Sequence, residues 1–206
     1  MTTTQIILSL ALLPITDTGI QPNKNWTQHT VKEVINVPIE NVWQLAQTLS
    51  LEEMVVKGYD DLPKITHTKM MQGDWTNVGD YRIVYFSSGD TAIETLIQYS
   101  SPTSFAYEIT NFTLPLKRVA KKAQGIFTYT DIGSGKTAVE WTYYFEQKNF
   151  IAKILINRYI KKTIPYLLLT NLIILPYLIQ AQKTIDGHSQ QQQMFTTHTH
   201  SIESPL

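Results

Sequence analysis

The sequence predicts an α+β domain in which a long C-terminal helix lies across the concave side of a strongly curved antiparallel sheet. Two observations lead to this prediction. Between residues 64 and 148, apolar side chains recur with a period of two in six successive segments, which is typical of antiparallel strands joined by short turns. One strand and two short helical segments precede this block, and a helical segment beginning near Asn149 follows it.

The first elements are a strand and two short helices. Residues 27–37 alternate apolar and polar side chains, which predicts an edge or outer strand. Pro38 suits the start of a helix. The apolar residues of that helix follow at helical spacing: Ile39, Val42, Trp43 and Ala46. A second helix is predicted from Ser50 as N-cap, with Glu53 completing a capping box and an end near Gly58.

The remaining elements complete a seven-stranded sheet and its covering helix. The six further strands are predicted at 64–71, 79–86, 91–99, 104–110, 118–130 and 137–147. Asn149 suits the cap of a helix over 150–182. The domain therefore extends over 27–182. An apolar lead-in and linker occupies 1–26, and a polar tail, predicted to be disordered, occupies 183–206.

Composition excludes several kinds of function. The chain of 206 residues has 17 basic and 17 acidic side chains, so no basic excess indicates a nucleic-acid partner. It has no cysteine, which excludes disulfides, thiolate metal sites and a cysteine nucleophile. The histidines lack metal-ligand spacing, and no dinucleotide or phosphate-loop motif is present. We therefore expect neither a metal nor a cofactor.

The turns set the pairing of the strands between 79 and 110. Residues 87–89 fit a three-residue hairpin loop with Gly89 at the left-handed position. Residues 100–103 fit a four-residue loop. The pairs that follow are Arg82–Glu94, Tyr99–Ser104, Leu96–Tyr107 and Glu94–Ile109. Since directly opposed side chains are about 5 Å apart, the first pair predicts a cross-strand ion pair.

This register collects a base, an acid and a phenol on one sheet face. The predicted face consists of Arg82, Val84, Glu94, Leu96, Gln98, Phe105, Tyr107 and Ile109. The last strand adds Trp141 and Tyr143, which alternate toward the long helix. A few polar groups within an apolar field indicate a pocket rather than a plain core.

The motifs along the chain resemble the START-like SRPBCC superfamily, and within it the polyketide cyclase/dehydrase-type branch. They are V-P-I-E-N-V-W at 37–43, V-G-x-x-R at 78–82, S-G at 88–89, E-x-L at 94–96, F-x-Y-x-I at 105–109, and Gly135 followed by Trp141. The resemblance implies a helix-grip fold with a hydrophobic cavity between sheet and helix. It places Arg82, Glu94 and Tyr107 at polar pocket positions, and the loops at 87–90 and 111–117 at the cavity mouth.

Members of that superfamily bind or transport lipids, sterols and related compounds, and some cyclise or dehydrate polyketides. The resemblance therefore implies a carrier or sensor of an apolar small molecule. The ligand-contacting residues would be Arg82, Val84, Glu94, Leu96, Phe105, Tyr107, Ile109, Trp141 and Tyr143. The alternative is an enzyme in which Glu94 acts as base while Tyr107 or Arg82 stabilises an enolate.

A third hypothesis is membrane association through residues 163–182, which carry no charge and are long enough to span a bilayer core. This segment is apolar on nearly all sides, so a second face needs cover. A homodimer, the apolar run at 6–13 or a membrane would supply it. Residues 6–13 have the length of a signal-peptide core but lack a preceding base and a close cleavage site. We expect a cytoplasmic protein, with membrane association through 163–182 as the alternative.

Overall fold

A computed structural model describes residues 25–48, 50–54, 62–161 and 163. The elements, in chain order, are β1 (Thr27–Ile35), α1 (Ile39–Thr48), α2 (Leu51–Met54), β2 (Ile65–Gln72), β3 (Tyr81–Phe86), β4 (Thr91–Ser100), β5 (Ser104–Thr110), a 3₁₀ turn (Pro115–Arg118), β6 (Ala120–Asp131) and β7 (Thr137–Gln147). A further helix, α3, covers residues 150–161. Every predicted strand is present, and no boundary differs from its prediction by more than two residues.

The seven strands form one curved antiparallel sheet in the order β1-β7-β6-β5-β4-β3-β2. From β2 to β7, each strand pairs with its neighbour in the sequence, as expected when short turns join the strands. β1 pairs with β7 and forms one edge of the sheet, which confirms the prediction of an edge strand.

Helices α1 and α3 both begin where the sequence predicts. The carbonyl of Pro38 accepts the backbone N–H groups of Asn41 and Val42 at the start of α1. The backbone N–H of Ala152 donates to the Asn149 side-chain oxygen over 2.9 Å, so Asn149 caps α3 as predicted.

The core lies between the concave sheet face and the helices. From α3, Ile156 and Ile160 are fully buried and pack with Val84, Trp141 and Phe145 of the sheet. A second cluster joins Val42 and Trp43 of α1 to the opposite end of the same face. Burying a side chain of this size contributes about 2 kcal/mol. A helix packed across a curved antiparallel sheet defines the helix-grip fold.

Several predictions fall outside the described residues. They are the lead-in, the linker as far as residue 24, the predicted end of α2 near Gly58, the continuation of α3 over 164–182, and the tail at 183–206. Among the helices that the structure describes, none combines the length and the apolar character needed to cross a membrane.

Candidate ligand site on the concave sheet face

The predicted ion pair is present between β3 and β4, the strands next to the β2 edge of the sheet. Arg82 lies opposite Glu94, and its Nη2 and Nε atoms approach Glu94 Oε2 to 2.7 and 2.8 Å. The side chains are only 15% and 9% exposed, so solvent screens the pair little. Both guanidinium contacts converge on one carboxylate oxygen.

The second hairpin partly corrects the predicted register. Leu96 pairs with Tyr107, as predicted, but Tyr99 pairs with Phe105 rather than with Ser104. A β-bulge between Leu96 and Gln98 absorbs the difference of one residue, so the turn is one residue shorter than predicted.

The bulge also changes which side chains share the predicted face. Gln98 lies opposite Ala106, and its amide donates to the Ser104 hydroxyl over 3.2 Å, so it does not share the face of Tyr107. Tyr99 instead packs edge-on against Trp43, with ring centroids 5.4 Å apart. The predicted membership of Gln98 in the polar face was therefore wrong.

Apart from Gln98, the pairing keeps the predicted side chains on the concave face. Ile109 pairs with Glu94 across the sheet. Gly125 pairs with both Tyr107 and Tyr143, and Phe127 pairs with both Phe105 and Trp141, so the members of each set share one face. Val84 and Leu96 are almost completely buried. These two side chains therefore pack within the core beneath the concave face and do not form part of its accessible surface.

Tyr107 lies over a glycine in the neighbouring strand. Gly125 pairs with Tyr107 on one side and with Tyr143 on the other. A Cβ atom at residue 125 would lie 2.4 Å from Tyr107 Cζ and 2.5 Å from its hydroxyl oxygen. The missing side chain thus makes room for the phenol, whose ring meets that of Tyr143 edge-on at 6.3 Å. Gly125 was not among the site residues predicted from the sequence.

Both phenols at this point remain protonated at neutral pH. Burial raises the pKa of Tyr107, and the nearby negative charge of Glu94 raises it further. Burial likewise raises the pKa of Tyr143 well above its ordinary value, with added effects from Tyr107 and Glu94. Two protonated phenols, which also interact with each other, therefore lie close to a carboxylate.

Aromatic rings cover the rest of the concave face. Phe127 stacks between Phe105 and Trp141, with centroid distances of 5.0 and 5.1 Å. Tyr143 meets Trp141 edge-on at 5.2 Å and tilts against Phe145 at the same distance. Such rings provide a wide apolar surface around the polar group.

Trp75 belongs to the site, although it was not predicted from the sequence. Its ring lies 3.9 Å from Arg82 Cζ, a cation–π contact on the guanidinium already bound to Glu94. Its backbone is left-handed, with φ of 70°, a conformation that costs a bulky residue about 1 kcal/mol. No local pattern predicts this contact, because the residue lies in the irregular loop between β2 and β3.

The loop carrying Trp75 is organised by a buried carboxylate. Asp80 accepts the backbone N–H groups of Thr76 and Asn77, each over 3.0 Å. Gly73 packs so closely that a Cβ atom there would overlap the carboxylate. These hydrogen bonds, chiefly that from Asn77, lower the pKa of Asp80.

The lowered pKa predicts a pH dependence of stability. The ionised Asp80 stabilises the fold above the unfolded-state pKa of about 4, and this contribution is lost as pH falls through the lower folded-state value. We expect Asp80→Asn to lower the free energy of unfolding at neutral pH, with the difference from wild type shrinking below about pH 4. Urea denaturation over a pH series measures this. A difference in unfolding free energy between variant and wild type that stays constant at all pH values would contradict it.

The two loops placed at the cavity mouth by the family resemblance are joined to each other. The Thr113 hydroxyl donates to Asp90 over 2.7 Å and accepts the backbone N–H of Thr91 over 2.9 Å. Hydrogen bonds from Ser88 and Thr113 lower the pKa of Asp90. The loops are therefore connected through Thr113, which bonds to the Asp90 side chain and to the backbone of Thr91.

The described residues include no group of three or more His, Asp or Glu side chains arranged to hold a metal ion. The chemistry that the site offers is thus a buried charge pair, two neutral phenols and an aromatic wall.

This fold and this face define a helix-grip protein with a polar group embedded in an aromatic surface. Residues 27–164 match the family described as polyketide cyclase / dehydrase and lipid transport. The match covers more than half of the chain, so the protein belongs to this family, whose description indicates hydrophobic ligands.

Solved structures share the fold. A protein from Nitrosospira multiformis is 19% identical, with a TM-score of 0.50 over 68% of this chain and 93% of its own. The protein XoxI from Bacillus cereus is 20% identical, with a TM-score of 0.52 over 76% and 98%. At these identities the similarity concerns the fold alone. No curated protein matches the chain.

Proposed function

We propose that this protein binds an apolar small molecule between the concave sheet face and α3, as a carrier or sensor. The observation that carries the proposal is the Arg82–Glu94 pair with Tyr107 and Tyr143 beside it, enclosed by aromatic rings. Removing a charged pair from water costs free energy, so a pair kept at a buried position favours a functional reason for it. Orienting one polar group of an otherwise apolar ligand is such a function.

The charge balance of the site favours an uncharged ligand oxygen. Glu94 neutralises Arg82, and Trp75 covers its guanidinium. A ligand carboxylate would meet the charge of Glu94 and would compete with it for Arg82. A ketone or hydroxyl oxygen instead accepts a hydrogen bond from a protonated phenol without that repulsion. We therefore propose an apolar molecule with a ketone or hydroxyl group, such as a sterol, a lipid alcohol or a polyketide-like compound.

The experiment has two stages. Native mass spectrometry of gently purified protein shows whether an apolar molecule copurifies. Displacement of the fluorescent probe anilinonaphthalene sulfonate then compares a fatty acid, the alcohol and the methyl ketone of the same chain length. We expect the alcohol and the ketone to bind at least about tenfold more tightly than the acid, a difference of about 1.4 kcal/mol.

A pair of hydroxyl deletions tests the role of the phenol. Tyr107→Phe is expected to weaken binding of the alcohol and ketone about fivefold, because one hydrogen bond contributes about 1 kcal/mol. Tyr144→Phe is the matched control, since Tyr144 alternates to the other face of β7. Failure of every compound to bind would overturn the binding function. Preference for the acid, or equal effects of the two variants, would overturn only the assignment of the ligand oxygen.

The enzymatic alternative uses the same residues and is less favoured. Arg82 directs two hydrogen bonds to Glu94 Oε2, so a proton-abstracting carboxylate would have to act through its other oxygen or break the pair. An enzyme of this kind requires that Glu94→Gln abolish turnover of a polyketide-like substrate while leaving binding intact. Unchanged turnover in that variant would exclude Glu94 as the base.

A further inference from the structure

Helix α3 presents apolar side chains on both sides of its first two turns. Its inner side packs Ala152, Ile156 and Ile160 into the core. Its outer side exposes a patch that we call the outer patch: Phe150 (75% exposed), Ile151 (69%), Ile154 (56%) and Leu155 (52%). A surface helix normally carries polar side chains on its outer side. Four contiguous exposed apolar residues of this size indicate an interaction surface.

The outer patch lies in a strongly basic setting. Residues 148–163 contain five basic and no acidic side chains, in a chain with 17 of each. Lys153, Arg158 and Lys161 of α3 are all exposed. Of the ion pairs formed among the described residues, none involves these three cations. Within the part of the chain that the structure describes, no ion pair therefore neutralises this charge.

A second basic segment lies beside the start of α3. The backbone N–H of Lys148 donates to the carbonyl of Val119 over 2.8 Å, which joins the residues before α3 to the end of the 3₁₀ turn. That turn carries Lys117 and Arg118, both exposed, and residues 111–122 contain no acidic side chain. The start of α3 thus lies next to a second segment that carries exposed cations.

We propose that the outer patch docks on an anionic lipid bilayer. Apolar side chains enter the boundary between headgroups and acyl chains, while the surrounding lysines and arginines contact anionic headgroups. A protein partner is less favoured, because protein interfaces are poor in lysine and their buried centres are poor in charge. The docking does not depend on the nature of any ligand bound at the concave face.

Cosedimentation of the full chain with vesicles tests the proposal. Vesicles of phosphatidylcholine alone are compared with vesicles that also contain phosphatidylserine, at low and high salt. We expect binding to the anionic vesicles at least about tenfold stronger, and weaker at high salt because exposed charges are screened.

Substitutions in the exposed residues locate the surface. Ile151→Ser with Ile154→Ser, and separately Lys153→Glu with Arg158→Glu, are each expected to reduce binding about tenfold without changing the thermal midpoint, because these side chains are exposed. The matched control is Ile132→Ser with Lys136→Glu, an exposed pair of residues in the β6–β7 turn.

Three results would overturn the proposal. The first is no binding of wild type to anionic vesicles. The second is binding that survives Ile151→Ser with Ile154→Ser, which would assign the membrane contact to another segment such as 163–182 or 6–13. The third is a self-associated wild type that these substitutions convert to monomer without affecting vesicle binding, which would make the outer patch an interface between two copies of the chain.

Discussion

Replacing Glu94 with leucine is expected to lower the free energy of unfolding by about 3 kcal/mol, because Arg82 is left as a buried charge without its partner. Arg82 is 15% exposed, and both of its contacts go to a single oxygen of Glu94. Trp75 lies against the guanidinium and cannot accept its charge-assisted hydrogen bonds. Urea denaturation at neutral pH measures the loss.

A double substitution distinguishes the loss of the whole ion pair from the loss of one partner. We expect Arg82→Met combined with Glu94→Leu to recover most of the lost stability, because no uncompensated charge then remains. The control is Glu140→Leu, which breaks the exposed Lys32–Glu140 pair and is expected to change stability by less than about 1 kcal/mol. A loss for Glu94→Leu no greater than that for Glu140→Leu would mean that water solvates the Arg82–Glu94 pair.

Gly125→Ala is expected to lower the free energy of unfolding by about 3 kcal/mol, because the added methyl group would overlap the ring of Tyr107. The new Cβ would lie 2.4 Å from Tyr107 Cζ, and β6 is a central strand bound on both sides. Relief would require Tyr107 to leave its place beside Tyr143. The same variant should therefore also weaken binding of the alcohol and ketone.

The identity of the residue at 107 provides the control for this prediction. In a Tyr107→Ala background, Gly125→Ala is expected to lower stability by less than about 1 kcal/mol, because the overlapping ring is gone. In a Tyr107→Phe background the full effect should remain, since the ring carbon that overlaps is still present. Equal effects in the three backgrounds would indicate that the alanine destabilises the protein by straining the backbone, not by overlapping the ring of Tyr107.

The strands and the Arg82–Glu94 pair were predictable because their signals are local. A period of two marks each strand, and a turn with glycine at its third position sets the pairing of β3 with β4. The same reasoning led to a wrong pairing of Tyr99, because no turn residue or glycine marks the β-bulge beside Gln98. The bulge lies within a run of ordinary strand-forming residues.

The sequence by itself therefore determined the order of the described elements, most of the concave face and the Arg82–Glu94 pair. The contact of Trp75 with Arg82, the space over Gly125 for Tyr107, and the exposure of the outer patch required the tertiary structure. The first two depend on residues that are close in space but belong to different segments of the chain, and the third depends on which side of α3 the sheet covers. How the sheet and helices pack decides all three, and no spacing along the sequence specifies that packing.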